Sequence, residues 1–195
     1  MKKYLRLLAL IVASAIPGLA MAATDYGITI GGTKVTSDNA SSITGTWLRS
    51  GSIRYNYSTN TLTLSNADIY DGGIIVNATC KDFLRISVNG ICNVTANGIA
   101  IQVKNAAGAS STDVFFQGSG EGILNLNYLY QGNVTVGGNS IYTTAESGKY
   151  PWICIGNGTQ GGEATHSALT LNAEEIRGDG GGNLYITDGC VNLKG

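Results

Sequence analysis

The sequence has few charged residues, few prolines and a single histidine. Asp, Glu, Lys and Arg make up 13% of its 195 residues, against about 25% in typical globular domains. The near balance of 13 acidic and 12 basic residues disfavours nucleic-acid binding, which depends on cationic contacts to phosphates. One histidine also disfavours imidazole-based catalysis and histidine-rich metal sites. We predict no cofactor. We also predict no metal site, because the segment Gly178–Asn183 resembles a calcium-binding glycine-rich repeat only weakly and occurs once, as a plain turn would.

Glycine, in contrast, is abundant, with 28 residues against two prolines. It does not follow the strict three-residue period of collagen. Brief aliphatic-x-aliphatic segments alternate with turns that contain Gly or Asn, and no window sustains the 3.6-residue period of an amphipathic helix. The pattern predicts an all-β fold built from many short strands.

The first 22 residues have the pattern of a secretion signal. Three basic residues within the first six positions precede the apolar stretch Leu7–Ile16, which is too short to span a bilayer. The segment Ala20–Ala22 then fits the small-x-small cleavage rule, whereas the alternative is a buried N-terminal helix. We expect cleavage between Ala22 and Ala23. The mature protein is then expected to lack a membrane span and to be periplasmic, secreted or at the cell surface.

The four cysteines leave two interpretations open. After export, Cys80, Cys92, Cys154 and Cys190 would meet an oxidising compartment, where four thiols allow three disulfide pairings. Each cysteine also has aliphatic neighbours, and free cysteine behaves as a small buried hydrophobe. Their spacing matches no zinc motif. The cysteines are therefore either paired in disulfides or inert buried thiols.

Two hairpins are predicted at the start of the mature chain. The strands that end at Ile30 and begin at Thr33 flank two glycines, which supply the positive φ angles of a type I′ turn. A second hairpin is predicted around the turn Ser58–Asn60. We assign residues 1–22 to the signal peptide, residues 23–58 to an N-terminal antiparallel segment, and residues 59–195 to repeated strands.

From Leu62 onward, two or three aliphatic residues recur between successive turns. The segments that begin at Leu62, Leu169 and Leu184 resemble one another, and such internal repetition is typical of solenoids. The strands group into coils of roughly 20 residues, which predicts a parallel β-helix with asparagine ladders at equivalent corners. A β-sandwich is the competing architecture. The aliphatic groups are Leu62/Leu64, Leu84/Ile86/Val88, Ile99/Ile101/Val103, Val114/Phe116, Leu124/Leu126, Val134/Val136, Ile153/Ile155, Leu169/Leu171, Leu184/Ile186 and Val191/Leu193.

The runs Tyr26–Ser37, Ile53–Asn56 and Thr59–Ala67 resemble secreted parallel β-helix proteins of gut anaerobes, which are often labelled carbohydrate-binding-domain-containing. The later glycine motifs Gly118–Gly120 and Ile155–Gly158 are similar but more degenerate. The resemblance covers most of the mature chain. It implies a single-stranded right-handed parallel β-helix exported by a Gram-negative bacterium, and it supplies no set of catalytic residues.

The C-terminus departs from this family pattern. The glycine-rich coils of such proteins usually continue, whereas Gly195 directly follows a predicted strand. An uncovered last coil would expose apolar core and unpaired backbone groups. Three expectations are open: the reading frame is truncated, Leu184–Leu193 packs as a lid, or a partner covers the end.

The titratable residues do not form a catalytic pattern. Asp68 and Asp71 are the nearest carboxylates to the pair that glycoside hydrolysis needs, but Asp71 precedes two glycines and is typical of a turn. Glu174 and Glu175 would point to opposite faces of a strand. His166 lies in a glycine-rich loop without a positioned nucleophile. We predict no catalytic residues.

Aromatic residues are the best binding candidates. Tyr128 and Tyr130 lie two positions apart, as do Tyr150 and Trp152, so each pair projects from one side of an extended chain. Sugar rings stack on such side chains. Tyr128 and Tyr130 fall on the same alternating positions as the preceding leucines, so they would alternatively continue the core. Trp152 falls on the positions opposite to those of Ile153 and Ile155, which favours exposure.

The sequence predicts a non-enzymatic solenoid that presents a surface to a polysaccharide or a cell-surface protein. Its basic residues are dispersed and form no obvious clamp for an acidic sugar. Two alternatives are a polysaccharide lyase or glycoside hydrolase on a β-helix scaffold, and a purely structural or adhesive repeat module.

Overall fold

A computed structural model describes residues 22–77, 80, 83–104, 113–128, 140–144, 153–155, 169–173, 175–178, 184–186 and 190–193. These residues form strands and turns, which confirms the predicted all-β class. None of them belongs to a helix long and apolar enough to cross a membrane. The strands are β1 (Asp25–Ile30), β2 (Thr33–Thr36), β3 (Leu48–Asn56), β4 (Thr61–Tyr70), β5 (Ile74–Val76), β6 (Phe83–Ala96), β7 (Ile101–Lys104), β8 (Asp113–Tyr128), β9 (Ser140–Thr144), β10 (Ile153–Ile155), β11 (Leu169–Ala173), β12 (Glu175–Gly178), β13 (Leu184–Ile186) and β14 (Cys190–Leu193).

Both predicted hairpins form at the start of the described chain. Strands β1 and β2 pair antiparallel, with Ile30 opposite Thr33. The two residues between them, Gly31 and Gly32, have φ angles of +53° and +82°, as the predicted turn requires. Strands β3 and β4 pair antiparallel around residues 57–60. We call strands β1–β3 the N-terminal antiparallel segment.

The strands form two mixed sheets. One sheet has the order β12-β9-β7-β5-β1-β2, and the other has the order β13-β10-β8-β6-β4-β3, with β11 and β14 attached beside β8. The pairs formed among strands β4–β14 are parallel. Strand β1 lies antiparallel on β5, and β3 lies antiparallel on β4. The N-terminal antiparallel segment therefore covers the first parallel strand of each sheet, which would otherwise present an open edge.

Aliphatic residues stack in columns across the parallel strands. Leu62 pairs with Ile86, and Ile86 pairs with Phe116. In the other sheet, Ile74 pairs with Ile101. All five side chains are fully buried. Because the strands alternate buried and outward residues, each column is continuous, and the columns together form one core.

The spacing between stacked residues differs from the predicted coil of roughly 20 residues. Asn93 and Asn125 contact each other across 32 positions of sequence, and Asn125 and Asn172 across 47. The long strands β6 and β8, of 14 and 16 residues, account for part of the greater length. Ile99, predicted to start a core strand, is only partly buried, because β7 begins at Ile101 after a bend.

The long strands bend along one line that crosses the sheet. Gly51 in β3, Asn66 in β4 and Gly90 in β6 have φ angles of +78°, +46° and +70°. A Cβ atom at Gly51 would lie 2.2 Å from the Asn66 carbonyl oxygen, and one at Gly90 would lie 2.2 Å from the Asn66 side-chain oxygen. Positions 51 and 90 therefore require glycine. The pairing register shifts at the same line, and buried residues alternate with outward ones again beyond it, as Cys92, Val94 and Ala96 do in β6.

An asparagine ladder links three parallel strands. Asn125 donates its side-chain amide to the side-chain oxygen of Asn93 at 2.9 Å, and Asn172 donates to Asn125 at 2.7 Å. The sequence predicted such a ladder, but at corners between strands. It lies within β6, β8 and β11, because residues in register on parallel strands present identical side chains at strand spacing.

Candidate functional site

A recess in the structure lies where the N-terminal antiparallel segment meets the parallel strands. It is an open groove with a volume of about 1010 Å³. Its lining is polar and aromatic: Tyr26, Ser37, Ala40, Ser41, Arg54, Tyr55, Asn56, Tyr57, Ser58, Thr59, Thr61, Thr63 and Arg85.

Strand alternation places part of this lining on the outer face of the sheet. Ile53 and Leu62 are buried, so their neighbours point outward. Arg54 of β3 lies opposite Thr63 of β4, and Thr61 of β4 lies opposite Arg85 of β6. Two arginines and two threonines thus occupy adjacent positions on three neighbouring strands.

Three tyrosines form an aromatic wall beside this surface. The ring centres of Tyr26 and Tyr57 are 5.0 Å apart with an angle of 25° between the planes, so the rings stack. Tyr26 also contacts Tyr55 at 5.0 Å with an angle of 47°. Tyr57 is 53% exposed. The wall therefore offers an accessible ring whose orientation is fixed by a second ring behind it.

A buried hydrogen-bond network holds the wall in place. The Tyr55 hydroxyl donates to the side-chain oxygen of Asn60 at 2.5 Å. Asn60 is 1% exposed, and its amide donates to the carbonyl of Phe83. Burial raises the pKa of Tyr55 above the ordinary phenol value. Asn60 adopts a left-handed φ of +50°, which asparagine tolerates better than most residues. The turn between β3 and β4 is therefore tied to β6.

The two arginines of the groove differ in their described contacts with neighbouring residues. The Arg85 guanidinium carbon lies 4.8 Å from the centre of the Phe83 ring, and Nη1 donates to the Thr59 carbonyl at 3.4 Å. Arg54 is exposed. The lining contains no Asp or Glu. The sequence predicted dispersed cations; strand pairing brings two of them, Arg54 and Arg85, to the lining of one groove.

The aromatic residues predicted from sequence lie elsewhere. Tyr130, Tyr150 and Trp152 are outside the described residues, and of Tyr128 only the backbone is described, paired with Ala96 at the end of β8. Sequence reasoning did not single out Tyr57, because Tyr57 continues the alternation of Ile53 and Tyr55 along the chain. Strand β3 ends at Asn56, so Tyr57 belongs to the turn and faces outward. The only available signal was the cluster of aromatic and basic residues around this turn.

The carboxylates considered for catalysis are described only in part: Asp68 and Asp71 belong to the described residues, whereas Glu174 and the side chain of Glu175 do not. Asp71 has a left-handed φ of +56° and is the turn residue that the sequence predicted. It is the sole acidic residue in a smaller recess of about 290 Å³, which is lined largely by glycine and aliphatic residues. Among the residues that the structure describes, no three His, Cys, Asp or Glu side chains are placed to hold a metal ion. His166 lies outside the described residues.

Cys92 has the environment of an inert thiol. It is buried in β6, accepts a hydrogen bond from the Ala67 backbone N–H at 3.4 Å, and donates to the Asn89 carbonyl at 3.7 Å. Burial raises the pKa of the thiol above its ordinary value, which lowers its reactivity. Cys80 is also buried. The side chains of Cys154 and Cys190 are outside the described part of the chain.

Comparison with known proteins finds no counterpart for this arrangement. No protein-family model matches the chain, and no curated protein or solved structure matches it either.

Proposed function

We propose that this chain is a secreted, non-enzymatic polysaccharide-binding protein built on a right-handed parallel β-helix. Parallel pairing among β4–β14, aliphatic columns and the asparagine ladder support the β-helix over a β-sandwich, whose sheets are antiparallel. Right-handedness is the strong preference of parallel strand connections. Export rests on the signal pattern of residues 1–22.

The observation that carries the binding function is the exposed, stacked Tyr57 ring at the edge of a hydroxyl-rich groove. Sugar rings present C–H faces to aromatic rings and hydroxyl groups to polar side chains. Tyr57 supplies the ring, and Thr61, Thr63 and Asn56 supply hydrogen-bonding groups beside it. An open groove suits an extended polymer better than a small molecule, which usually binds in a more enclosed pocket.

The composition of the groove supports binding without hydrolysis. Glycoside hydrolysis normally uses two carboxyl groups on either side of the scissile bond. None of the residues that line this groove is Asp, Glu or His. The groove therefore has no side-chain pair for that reaction.

The proposal is tested by binding of the purified, exported full chain to a panel of plant, bacterial and host polysaccharides, measured by affinity electrophoresis. Tyr57→Ala is expected to weaken binding at least fivefold, and Tyr57→Phe to retain most of it, because stacking needs the ring. Ile91→Ala is the matched control, since Ile91 is an apolar side chain of 56% exposure outside the groove.

Two outcomes would overturn the proposal: no polysaccharide retards the protein, or Tyr57→Ala and Ile91→Ala bind as tightly as the wild type. Trp152→Ala in the same assay tests the aromatic pair predicted from sequence. If only Trp152→Ala weakened polysaccharide binding, the binding surface would lie outside the groove and the role of Tyr57 would be refuted.

A further inference from the structure

We infer that the groove selects anionic polysaccharides, whose carboxylate or sulfate groups bind Arg54 and Arg85; this inference rests on the proposed function. The first argument is charge. The lining residues carry two guanidinium groups and no carboxylate, and within the described part of the chain the one carboxylate bonded to a lining residue is that of Asp38, on Ser37, whereas the chain as a whole has a formal net charge of −1. Positive charge is therefore concentrated at the surface where the ligand is proposed to bind.

The second argument is the placement of the two arginines. Arg54 lies opposite Thr63, and Arg85 lies opposite Thr61, so the arginines are two strands apart and offset by two residues. With strands about 4.8 Å apart and a rise of about 3.3 Å per residue, their Cα atoms are roughly 12 Å apart. Two guanidinium groups at this separation, with the Thr63 hydroxyl between them, suit successive anionic groups of one polymer; the Thr61 hydroxyl donates to the Thr59 carbonyl instead.

The third argument is the absence of a competing partner within the groove. Among the described residues, the ion pair that the structure contains joins Lys34 and Asp25 at 2.9 Å, away from the groove. Arg85 is oriented by Phe83 and the Thr59 carbonyl rather than by a carboxylate. A ligand anion would therefore not have to displace a salt bridge to any of the described residues, and guanidinium groups bind carboxylate and sulfate oxygens through paired hydrogen bonds.

Arg49 provides an internal contrast. It lies on the same strand as Arg54, but its guanidinium carbon stacks 3.1 Å from the centre of the Tyr70 ring, and it does not line the groove. A general effect of positive charge would involve Arg49 as much as Arg54. A specific binding site in the groove would involve Arg54 but not Arg49.

The test compares binding of the full chain to a polyuronic acid and to the same polymer after reduction of its carboxyl groups to alcohols. A sulfated polysaccharide and its desulfated form make the second pair and distinguish sulfate from carboxylate. We expect at least tenfold tighter binding to the charged member of one pair. Arg54→Gln and Arg85→Gln should each reduce that preference about tenfold, whereas Arg49→Gln should leave it unchanged. Arg54→Lys should restore part of it, because lysine keeps the charge but not the planar fork.

The outcomes separate this inference from the proposed function. Equal binding to charged and neutral members, still sensitive to Tyr57→Ala, would overturn the anionic specificity and leave polysaccharide binding intact. A similar loss from Arg49→Gln would overturn the site in favour of general charge attraction. Binding to no polysaccharide would overturn both. Thermal unfolding of each variant verifies that the fold is retained.

Discussion

The N-terminal antiparallel segment and the parallel strands that follow it are stabilised in different ways. In the first region, individual contacts between dissimilar residues dominate: Trp47 donates to the Thr33 hydroxyl at 3.1 Å, and Tyr55 donates to Asn60. In the second region, the same kind of contact recurs from strand to strand, as in the aliphatic columns and the asparagine ladder.

The two regions therefore make different contributions to the structure. Repeated columns bury apolar area efficiently but create a uniform surface. The antiparallel segment covers the first parallel strands and is where turns, aromatic rings and charges break the repetition. The groove forms at the junction, because the outward residues of β3 come from one region and those of β4 and β6 from the other.

The largest effect on stability is expected from Phe116→Ala, which tests whether the stacked apolar residues form the core. Phe116 is fully buried opposite Ile86, so truncation should lower the free energy of unfolding by about 3–5 kcal/mol. Phe115→Ala is the matched control, because Phe115 faces outward on the same strand and is only partly buried. Urea unfolding followed by tryptophan fluorescence measures both. Equal losses would contradict a core confined to the inner face.

A second test compares the stability of alanine variants at Gly31 and Gly32, two adjacent glycines of the N-terminal antiparallel segment. A Cβ atom at Gly31 would lie 2.2 Å from Trp47 Cγ, whereas one at Gly32 would meet nothing within 4 Å. Both residues have positive φ, so each alanine variant should lose about 1–2 kcal/mol of stability. Gly31→Ala should lose roughly 1–3 kcal/mol more through overpacking. Thermal unfolding checks the difference, and equal melting temperatures would disprove close packing of Trp47 on the turn.

A third test concerns the buried Tyr55–Asn60 hydrogen bond. Tyr55→Phe leaves the side-chain oxygen of Asn60 buried without this donor, and should lower stability by about 1–3 kcal/mol at neutral pH. Tyr57→Phe is the control, because the Tyr57 side chain is largely exposed. A loss as large for Tyr57→Phe would rule out a special role for the buried hydroxyl.

The same tyrosine predicts a pH dependence. Burial raises the pKa of Tyr55 above the ordinary phenol pKa of about 10, so the folded state holds its proton where the unfolded state has lost it. Its contribution is therefore fully present below about pH 10 and falls as the pH rises above that value. Unfolding experiments at pH 9 to 11 should show a steeper decline for the wild type than for Tyr55→Phe. Equally steep declines in stability for the wild type and Tyr55→Phe would contradict the assignment of this pH dependence to Tyr55.

The smallest effect is expected from the asparagine ladder of the parallel strands. Asn125 forms two amide–amide hydrogen bonds and Asn93 forms one of the two. Asn125→Ala should therefore lower stability by about 1–2 kcal/mol and Asn93→Ala by about half as much. Equilibrium unfolding measures both. A larger loss from Asn93→Ala would show that the ladder is not the main contribution of these residues.

Local features of the fold could be predicted well from the sequence. The turn at Gly31–Gly32 was predictable because both glycines supply positive φ within four residues of chain. Leu62, Ile86 and Phe116 were predicted as inward residues because strand alternation is itself local. The predicted spacing of roughly 20 residues is approached between Leu62 and Ile86, which are 24 positions apart, but not in the asparagine ladder, where the residues are 32 or 47 positions apart. Connections of different length therefore separate the paired strands.

The candidate groove could not be predicted in the same way. Nothing near Arg54 in the sequence indicates that Arg85 lies beside it, because the pairing depends on the registers of β3 on β4 and of β4 on β6. Tyr57 was not predicted as a site residue, because one position decides whether it continues the strand or begins the turn.

By itself, the sequence determined the all-β class, the glycine turns and the inward aliphatic residues, because each depends on backbone preferences within a few neighbouring positions. The tertiary structure alone decided which strands are neighbours, where the sheet bends at Gly51, Asn66 and Gly90, and which side chains share the groove. These features depend on register between distant segments, and register is set by the closure of the whole core rather than by any single stretch of chain.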